Sequence, residues 1–246
     1  MTSTVFHIPH SSTVIPAEDR ERFFLSDRAL RRELLRMTDR YTDDLFRGPG
    51  QRVVMPVSRL VCDAERFRDK TREIMTGQGM WVCYTRTSDG EPLKTTDAAY
   101  EAEILRRYYD PHHRALTGAV DRALEQTGRC LLVDCHSFAA ARLSYEVSEA
   151  QPRPQICIGT DPFHTPAALE NRCRELFERL GYTVAVNTPF AGVLVPEKHY
   201  GREPRVRAVM LEVNRSLYMD EATGEKLPEY DRVQRDLAAV IAALAE

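Results

Sequence analysis

The chain has 246 residues, 43% hydrophobic and 29% charged, with Lys+Arg 34 against Asp+Glu 37 and a net charge of -3. These values suit one large α/β domain and exclude disorder, collagen-like repetition and a basic field for nucleic acid. No apolar run approaches the roughly 20 residues that cross a bilayer, and MTSTVFHIPHSS lacks the charged and apolar regions of a secretory leader. A cytoplasmic enzyme acting on a small molecule is expected, with no nucleic-acid or membrane partner.

In chain order, the first predicted strand is Val5–Pro9, followed by a helix over Ala17–Thr38 interrupted near Ser26. Strand Arg52–Val57 comes next, then a long helix over Asp97–Thr127 and the strands Cys130–Cys135 and Gln155–Ile158. A helix over Pro166–Leu180, stopped by Gly181, leads to strands Thr183–Val186 and Arg207–Val213. Helix Tyr230–Ala245 follows, with Val233, Leu237, Val240, Ile241 and Leu244 at helical spacing. Short runs rich in Val, Ile and Leu are the mark of buried strands. Their alternation with helices predicts a three-layer α/β/α domain over residues 1–246, built on a mostly parallel or mixed central sheet. The six cysteines (Cys62, Cys83, Cys130, Cys135, Cys157, Cys173) include no C-x-x-C pair and are expected to be reduced and buried.

Ligands of open α/β sheets sit at the carboxyl ends of the strands, so polar residues there carry the functional signal. His10 closes TVFHIPH and precedes the small polar residues Ser11, Ser12 and Thr13. Asp134 and His136 share one face of the strand CLLVDCHS, and an Asp there is expensive to bury without a task. Glu212 stands near the end of the apolar strand VRAVMLEVN, where desolvation raises a carboxyl's proton affinity toward that of a general base. Bland readings compete: a capping His10, an Asp134 that caps a turn, a Glu212 paired with an arginine. Two histidines and a carboxylate form a common catalytic zinc set, with water in the fourth position. Cys135 cannot use its neighbour His136 as a base, because adjacent strand residues point to opposite faces.

Six fragments occur in a telling order: PHSS at Pro9–Ser12, TD at Thr38–Asp39, SRLVCDAER at Ser58–Arg66, DCHS at Asp134–Ser137, HYG at His199–Gly201 and LEVNRSLYMDE at Leu211–Glu221. On these the chain resembles the N-formylglutamate amidohydrolase family, whose fold and site are akin to zinc carboxypeptidases and to the aspartoacylase and succinylglutamate desuccinylase group. The resemblance implies a zinc-carboxypeptidase-like hydrolase fold and one zinc ion held by His10, His136 and a carboxylate. Asp39 matches the family's Thr-Asp position, with Asp43 and Asp44 as competitors. Thr13 stands where related carboxypeptidases carry a ligand Glu, so that ligand must come from elsewhere. The resemblance further implies Glu212 as general base, Asp134 as the group orienting an imidazole, and His199 as a hydrogen-bond donor to substrate or oxyanion.

Arg59, Asp63 and Arg66 match the signature that binds a substrate carboxylate in related enzymes, and an arginine fork suits that task. Glu65 occupies the Asn position of that signature; it either pairs with Arg66 or favours a substrate bearing a neutral or positive group. The turn PFAG at Pro189–Gly192 is expected in the pocket wall. His113 falls on a family position but early in a helix, where packing explains it; His7 and His164 are read as structural or exposed. The implied activity is hydrolysis of N-formyl-L-glutamate to formate and L-glutamate. Two alternatives stand beside it: the same zinc chemistry on another N-acyl amino acid or small peptide amide, and a non-catalytic binder of acidic metabolites.

Overall fold

The computed structural model describes residues 3–146, 148 and 152–246. Its strands are β1 (Ser3–Ile8), β2 (Gln51–Val54), β3 (Cys130–Phe138), β4 (Ile156–Gly159), β5 (Val184–Val186) and β6 (Val206–Asn214). They pair in the order β2-β1-β3-β6-β4-β5. All neighbours are parallel except β4 and β6. The carboxyl ends of β1, β3 and β6 therefore lie side by side. Because β4 runs against β6, the amino-terminal approach to β4 joins that same edge.

The helices are α1 (Ala17–Arg20), α2 (Asp27–Met37), α3 (Thr42–Leu45), α4 (Ala98–Ile104), α5 (Asp110–Thr127), α6 (Ala167–Arg179) and α7 (Tyr230–Ala245). One sheet face buries Phe6, Ile8, Val133, Cys135, Val209 and Leu211 against α6 and α7. The other buries Val5, Leu132 and Ala208 against Leu116, Ala119, Val120 and Ala123 of α5. Fully buried aliphatic side chains such as Leu116 and Val120 each contribute roughly 1.5–3 kcal/mol. A third apolar cluster, including Leu60, Val61, Met80, Trp81, Tyr84 and Leu93, forms a roof from residues 23–109.

Differences from the sequence expectations sit at element ends. The predicted first helix is two, because Ser26 caps Asp27–Met37 through Ala29 N, as the interruption near Ser26 foresaw. The predicted helix over Asp97–Thr127 is α4 and α5 joined by a π turn, Leu105–Tyr109. Pro111 lacks the N–H that would close the ordinary turn, which the wider turn accommodates. Strand β1 stops at Ile8 rather than Pro9, since proline cannot donate to the ladder. All six cysteines are free and buried. Among the described residues, no helix is long and apolar enough to cross a membrane.

Candidate active site

The carboxyl edge of β1, β3 and β6 gathers the buried charged side chains Asp39, Arg59, Asp63, Asp134, Glu212 and Arg215. Asp134 and His136 lie two residues apart on β3, where the alternation turns both toward the α5 face of the sheet. Glu212 stands opposite His136 in the β3–β6 register. His10 follows β1 by two residues, and its carbonyl accepts Asp39 N at 3.0 Å just beyond α2. That backbone bond brings the loop after the helix against the end of the strand.

Side-chain geometry then closes the group. His136 Nδ1 lies 3.3 Å and His10 Nδ1 3.6 Å from Asp39 Oδ2, with ring centroids 5.1 Å apart. The ligand atoms of His10, Asp39 and His136 all fall within 4.8 Å of one another, and all three residues are buried. Each imidazole is held from behind: His10 Nε2 by Asp63 Oδ1 at 2.8 Å, and His136 Nε2 by Asp134 Oδ1 at 3.0 Å. Such carboxylate–imidazole pairs orient the other ring nitrogen for a metal. His10 Nδ1 has no hydrogen-bond partner, an unmet demand that a cation would satisfy. Two imidazole nitrogens and one carboxylate oxygen are a donor set that suits zinc.

The electrostatics agree. Burial opposes the Asp39 charge, but the adjacent His10 and His136 imidazoles and the Arg215 guanidinium hold its carboxyl well below the usual range. Arg215 Nη2 donates to Asp39 Oδ1 at 2.8 Å, leaving Oδ2 for the histidines. Burial opposes a charge on His136 too, yet Asp134, Asp39 and Glu65 raise its pKa well above an ordinary histidine. A field that holds an extra proton there would also hold a divalent cation. Burial, opposed by His136 and reinforced by Asp39, pushes the Glu212 carboxyl up to about 8, and Glu212 Oε2 has no partner.

The three candidate third ligands separate clearly. Asp39 faces the histidines, whereas Asp43 is exposed and Asp44 bonds to Lys226 and Tyr230 at 2.8 Å each. The arginine signature is also placed at this edge, with a redistribution of roles. Asp63 is fully buried and saturated by His10, Arg59, Tyr84 and Glu65 N, so it positions its neighbours and cannot reach a substrate. Burial opposes its charge, while Arg59, His10 and Arg66 keep its carboxyl well below the usual range. Arg59 and Arg66 both meet Tyr84 Oη and Asp63, and each leaves Nε without a hydrogen-bond partner. Glu65 does not pair with Arg66. It turns to His7 Nδ1 at 3.2 Å and His136 Nε2 at 3.8 Å, because its backbone N–H is tied back to Asp63 Oδ1.

His199 is not brought to this group. Its Nε2 meets Asp121 Oδ1 at 2.9 Å, and Asp121 lies roughly 13 Å along α5 from His112. The loop before β6 carries His199 toward the opposite end of the sheet, so the oxyanion role expected for it has no geometric basis. His164 is buried and structural, spanning Val206 O and Gly201 N. His113 packs on Tyr109 and bonds to Ala64 O, in keeping with its exclusion from the catalytic set. Phe190 of the PFAG turn packs edge-on against Phe138 at the end of β3.

Three participants escaped the sequence reading. His7, read as structural or exposed, is fully buried and structural, its Nδ1 on Asp134 at 2.8 Å and its Nε2 on His112 Nε2 at 2.8 Å. Burial lowers the pKa of both His7 and His112, the latter to about 2, so the pair is neutral. His7, Glu65 and Asp134 also converge, but both His7 nitrogens are already used, which makes this group a buttress for His136. Arg215, in the turn after β6, is the third. The doublet His112-His113 one turn into α5 was a readable signal; Arg215 carried none.

Buried donors, a raised carboxyl and arginines gather at the carboxyl edge of a mostly parallel sheet, the arrangement of an α/β enzyme that acts on a small molecule. The family model for N-formylglutamate amidohydrolase matches residues 2–219. The chain belongs to the N-formylglutamate amidohydrolase family and is a hydrolase acting on an amide bond. A protein named N-formylglutamate deformylase from Pseudomonas putida is 29% identical over 184 residues, 72% of this chain and 68% of that one. The crystal structure of N-formylglutamate amidohydrolase from Ralstonia eutropha JMP134 matches with a TM-score of 0.84 at 24% identity, over 99% of this chain and 93% of that one. A gene product of Agrobacterium tumefaciens matches with a TM-score of 0.64 at 17% identity, over 100% and 92%. The two structures establish the shared fold.

Proposed function

We propose that this chain is a zinc-dependent amidohydrolase that cleaves N-formyl-L-glutamate to formate and L-glutamate. The supporting observation is the convergence of His10, Asp39 and His136, with His10 Nδ1 unpartnered, beside the raised carboxyl of Glu212. Zinc held by His10 Nδ1, Asp39 Oδ2 and His136 Nδ1 would supply a Lewis acid that polarises the amide carbonyl and acidifies water. Glu212 takes the proton from the attacking water and returns it to the departing amine, so its affinity near neutrality serves both steps. Water oxygen joins the formyl carbon, the carbon–nitrogen bond breaks, and the proton leaves on the amino group of L-glutamate. Arg59 and Arg66 supply the positive charge that receives a substrate carboxylate, each with an Nε that makes no hydrogen bond among the described residues. Asp63 and Asp134 hold the imidazoles in place, and Arg215 holds Asp39.

The substrate names of the relatives support the formyl group and the glutamate; the arginines support an anionic substrate independently of them. The test is a panel of formyl, acetyl and succinyl amino acids assayed for released amine, on protein whose zinc is measured by elemental analysis. The expected result is one zinc per chain and preferred turnover of N-formyl-L-glutamate. Removal of the catalytic base by Glu212→Gln should lower turnover roughly 10²–10⁴-fold with zinc retained. Preference for another acyl group defeats the substrate, and full activity of the metal-free protein defeats the zinc.

A further inference from the structure

Arg153 has no role in the mechanism above, yet its environment is that of a binding residue. Its side chain is 3% exposed and that of its partner Glu146 2%, with Nη1 held by Glu146 Oε2 at 2.6 Å. Nε and Nη2 have no hydrogen-bond partner among the described residues. The guanidinium carbon sits 4.9 Å from the Phe138 ring centre and 5.8 Å from that of Phe190, between two aromatic walls that shed water. Leaving two donors of a buried cation unmet is unfavourable unless something else fills them.

Which donors are left over is informative. Nε–H and Nη2–H project from the same edge of a guanidinium and together form the side-on fork that grips both oxygens of a carboxylate. This chain uses that edge three times on its own surface, in Arg68–Asp110, Arg106–Glu103 and Arg205–Glu203. At Arg153 the same edge is buried with no carboxylate on it among the described residues, while Glu146 occupies the other end of the group.

The fold puts this fork on the catalytic edge. Cys157 of β4 stands opposite Glu212 of β6, and Arg153 precedes it on the antiparallel approach to that edge. Asn214 ties this approach down, its Nδ2 donating to Pro154 O at 3.1 Å and its N to Gln155 O at 2.9 Å. Phe138, against which Arg153 lies, is two residues beyond His136 on the same face of β3 and opposite Asn214. Arg59 and Arg66 reach the site from the Asp63 side, where His10 is held.

We propose that Arg153 is a specificity-determining residue that receives one carboxylate of a dicarboxylic N-acyl amino acid on its Nε–Nη2 edge, the other carboxylate lying on Arg59 and Arg66. This rests on the amidohydrolase reading and assigns the residue that recognises the second carboxylate of its substrate. Glu146 and the two phenylalanines fix the guanidinium so that little ordering is needed on binding.

The test compares parent and Arg153→Gln proteins, with zinc content and thermal midpoint measured, on N-formyl-L-glutamate and N-formyl-L-glutamine. Loss of the fork should lower kcat/KM for the dicarboxylate roughly 10–100-fold, mainly through KM, and leave the amide analogue within about three-fold. Arg153→Lys, which keeps charge but not the fork, is expected in between and carries the test if the glutamine variant does not fold. Equal losses on both substrates, or none on the dicarboxylate, overturn the assignment. Calorimetric titration of L-glutamate and L-glutamine into the same proteins repeats the comparison without turnover. A parent that cleaves neither substrate defeats the amidohydrolase reading, and the titration then judges Arg153 alone. Loss of the glutamate preference in Arg153→Gln supports it and an unchanged preference overturns it.

Discussion

The two ends of the sheet both bury histidines, and they differ in what those histidines have left to do. Away from the carboxyl edge, His164 spends Nδ1 on Val206 O and Nε2 on Gly201 N, and His199 is paired with Asp121. At the carboxyl edge, His10 Nδ1, Glu212 Oε2 and atoms of Arg59, Arg66 and Arg153 are buried without partners. Unmet polar atoms also occur elsewhere, as at Asp19 and Tyr100, but only at this edge do they gather beside converging histidines and a carboxylate among the described residues. Burial of a histidine by itself says little; a ring nitrogen turned toward the shared Asp39 Oδ2, as in His10 and His136, distinguishes the site from a structural ring.

The sharpest way to break this contrast is to remove one imidazole from the carboxyl edge. His10→Ala should abolish stoichiometric zinc by elemental analysis and lower turnover by about three orders of magnitude or more. Retention of zinc in that variant would sink the proposed ligand set. A smaller effect is expected from Asp63→Asn, which keeps His10 but weakens the carboxylate behind it. Zinc affinity, measured by competition with a chelator, should fall roughly 10–100-fold.

The roof provides a test of stability instead of catalysis. Lys94 is buried and donates to Leu60 O at 2.7 Å and Val61 O at 3.0 Å, bracing the turn that carries Arg59 and Asp63. Burial pushes its pKa down to about 8 from an ordinary 10.5. Between those values the unfolded chain binds the proton and the folded one does not, so the contribution of this group to stability rises with pH across the window. Below about 8 both states are protonated and the contribution is flat. The gain amounts to about 3 kcal/mol. Denaturant titrations at pH 8 and 10.5 should show it in the parent and not in Lys94→Met.

The smallest effect is expected at the other end of the sheet. His199→Ala removes a partly exposed pair with Asp121, worth about 1 kcal/mol or less. Zinc content should be unchanged and turnover within a few-fold; a loss comparable to that of His10→Ala would return His199 to the site and erase the contrast.

Much of this was readable from the residues in order. All six strands were visible as short apolar runs. The inner β1, β3, β4 and β6 are so because a strand buried on both faces must be largely apolar, while the edge strands β2 and β5 are only partly buried. Asp134, His136 and Glu212 stood out for the same reason: a polar group in such a run is costly and so conspicuous. Loop residues carry no comparable period. His199 lay in a fragment of the right family order, yet the loop before β6 takes it to Asp121. Asp39 was one of three nearby carboxylates, and a single backbone bond to His10 O separates it from the others.

What the chain determined on its own was the layered α/β architecture and the chemical types at its strand ends, because hydrophobic periodicity and the cost of burying charge act locally. Only tertiary structure decided how the polar groups share their hydrogen bonds. Arg215 claims one oxygen of Asp39 and frees the other for the histidines, and Asp63 goes to His10 instead of a substrate. Glu146 occupies one end of Arg153 and leaves its Nε and Nη2 without a hydrogen bond among the described residues. Each of those choices is made between residues distant in sequence, where spacing carries no information and the number of available donors and acceptors settles the outcome.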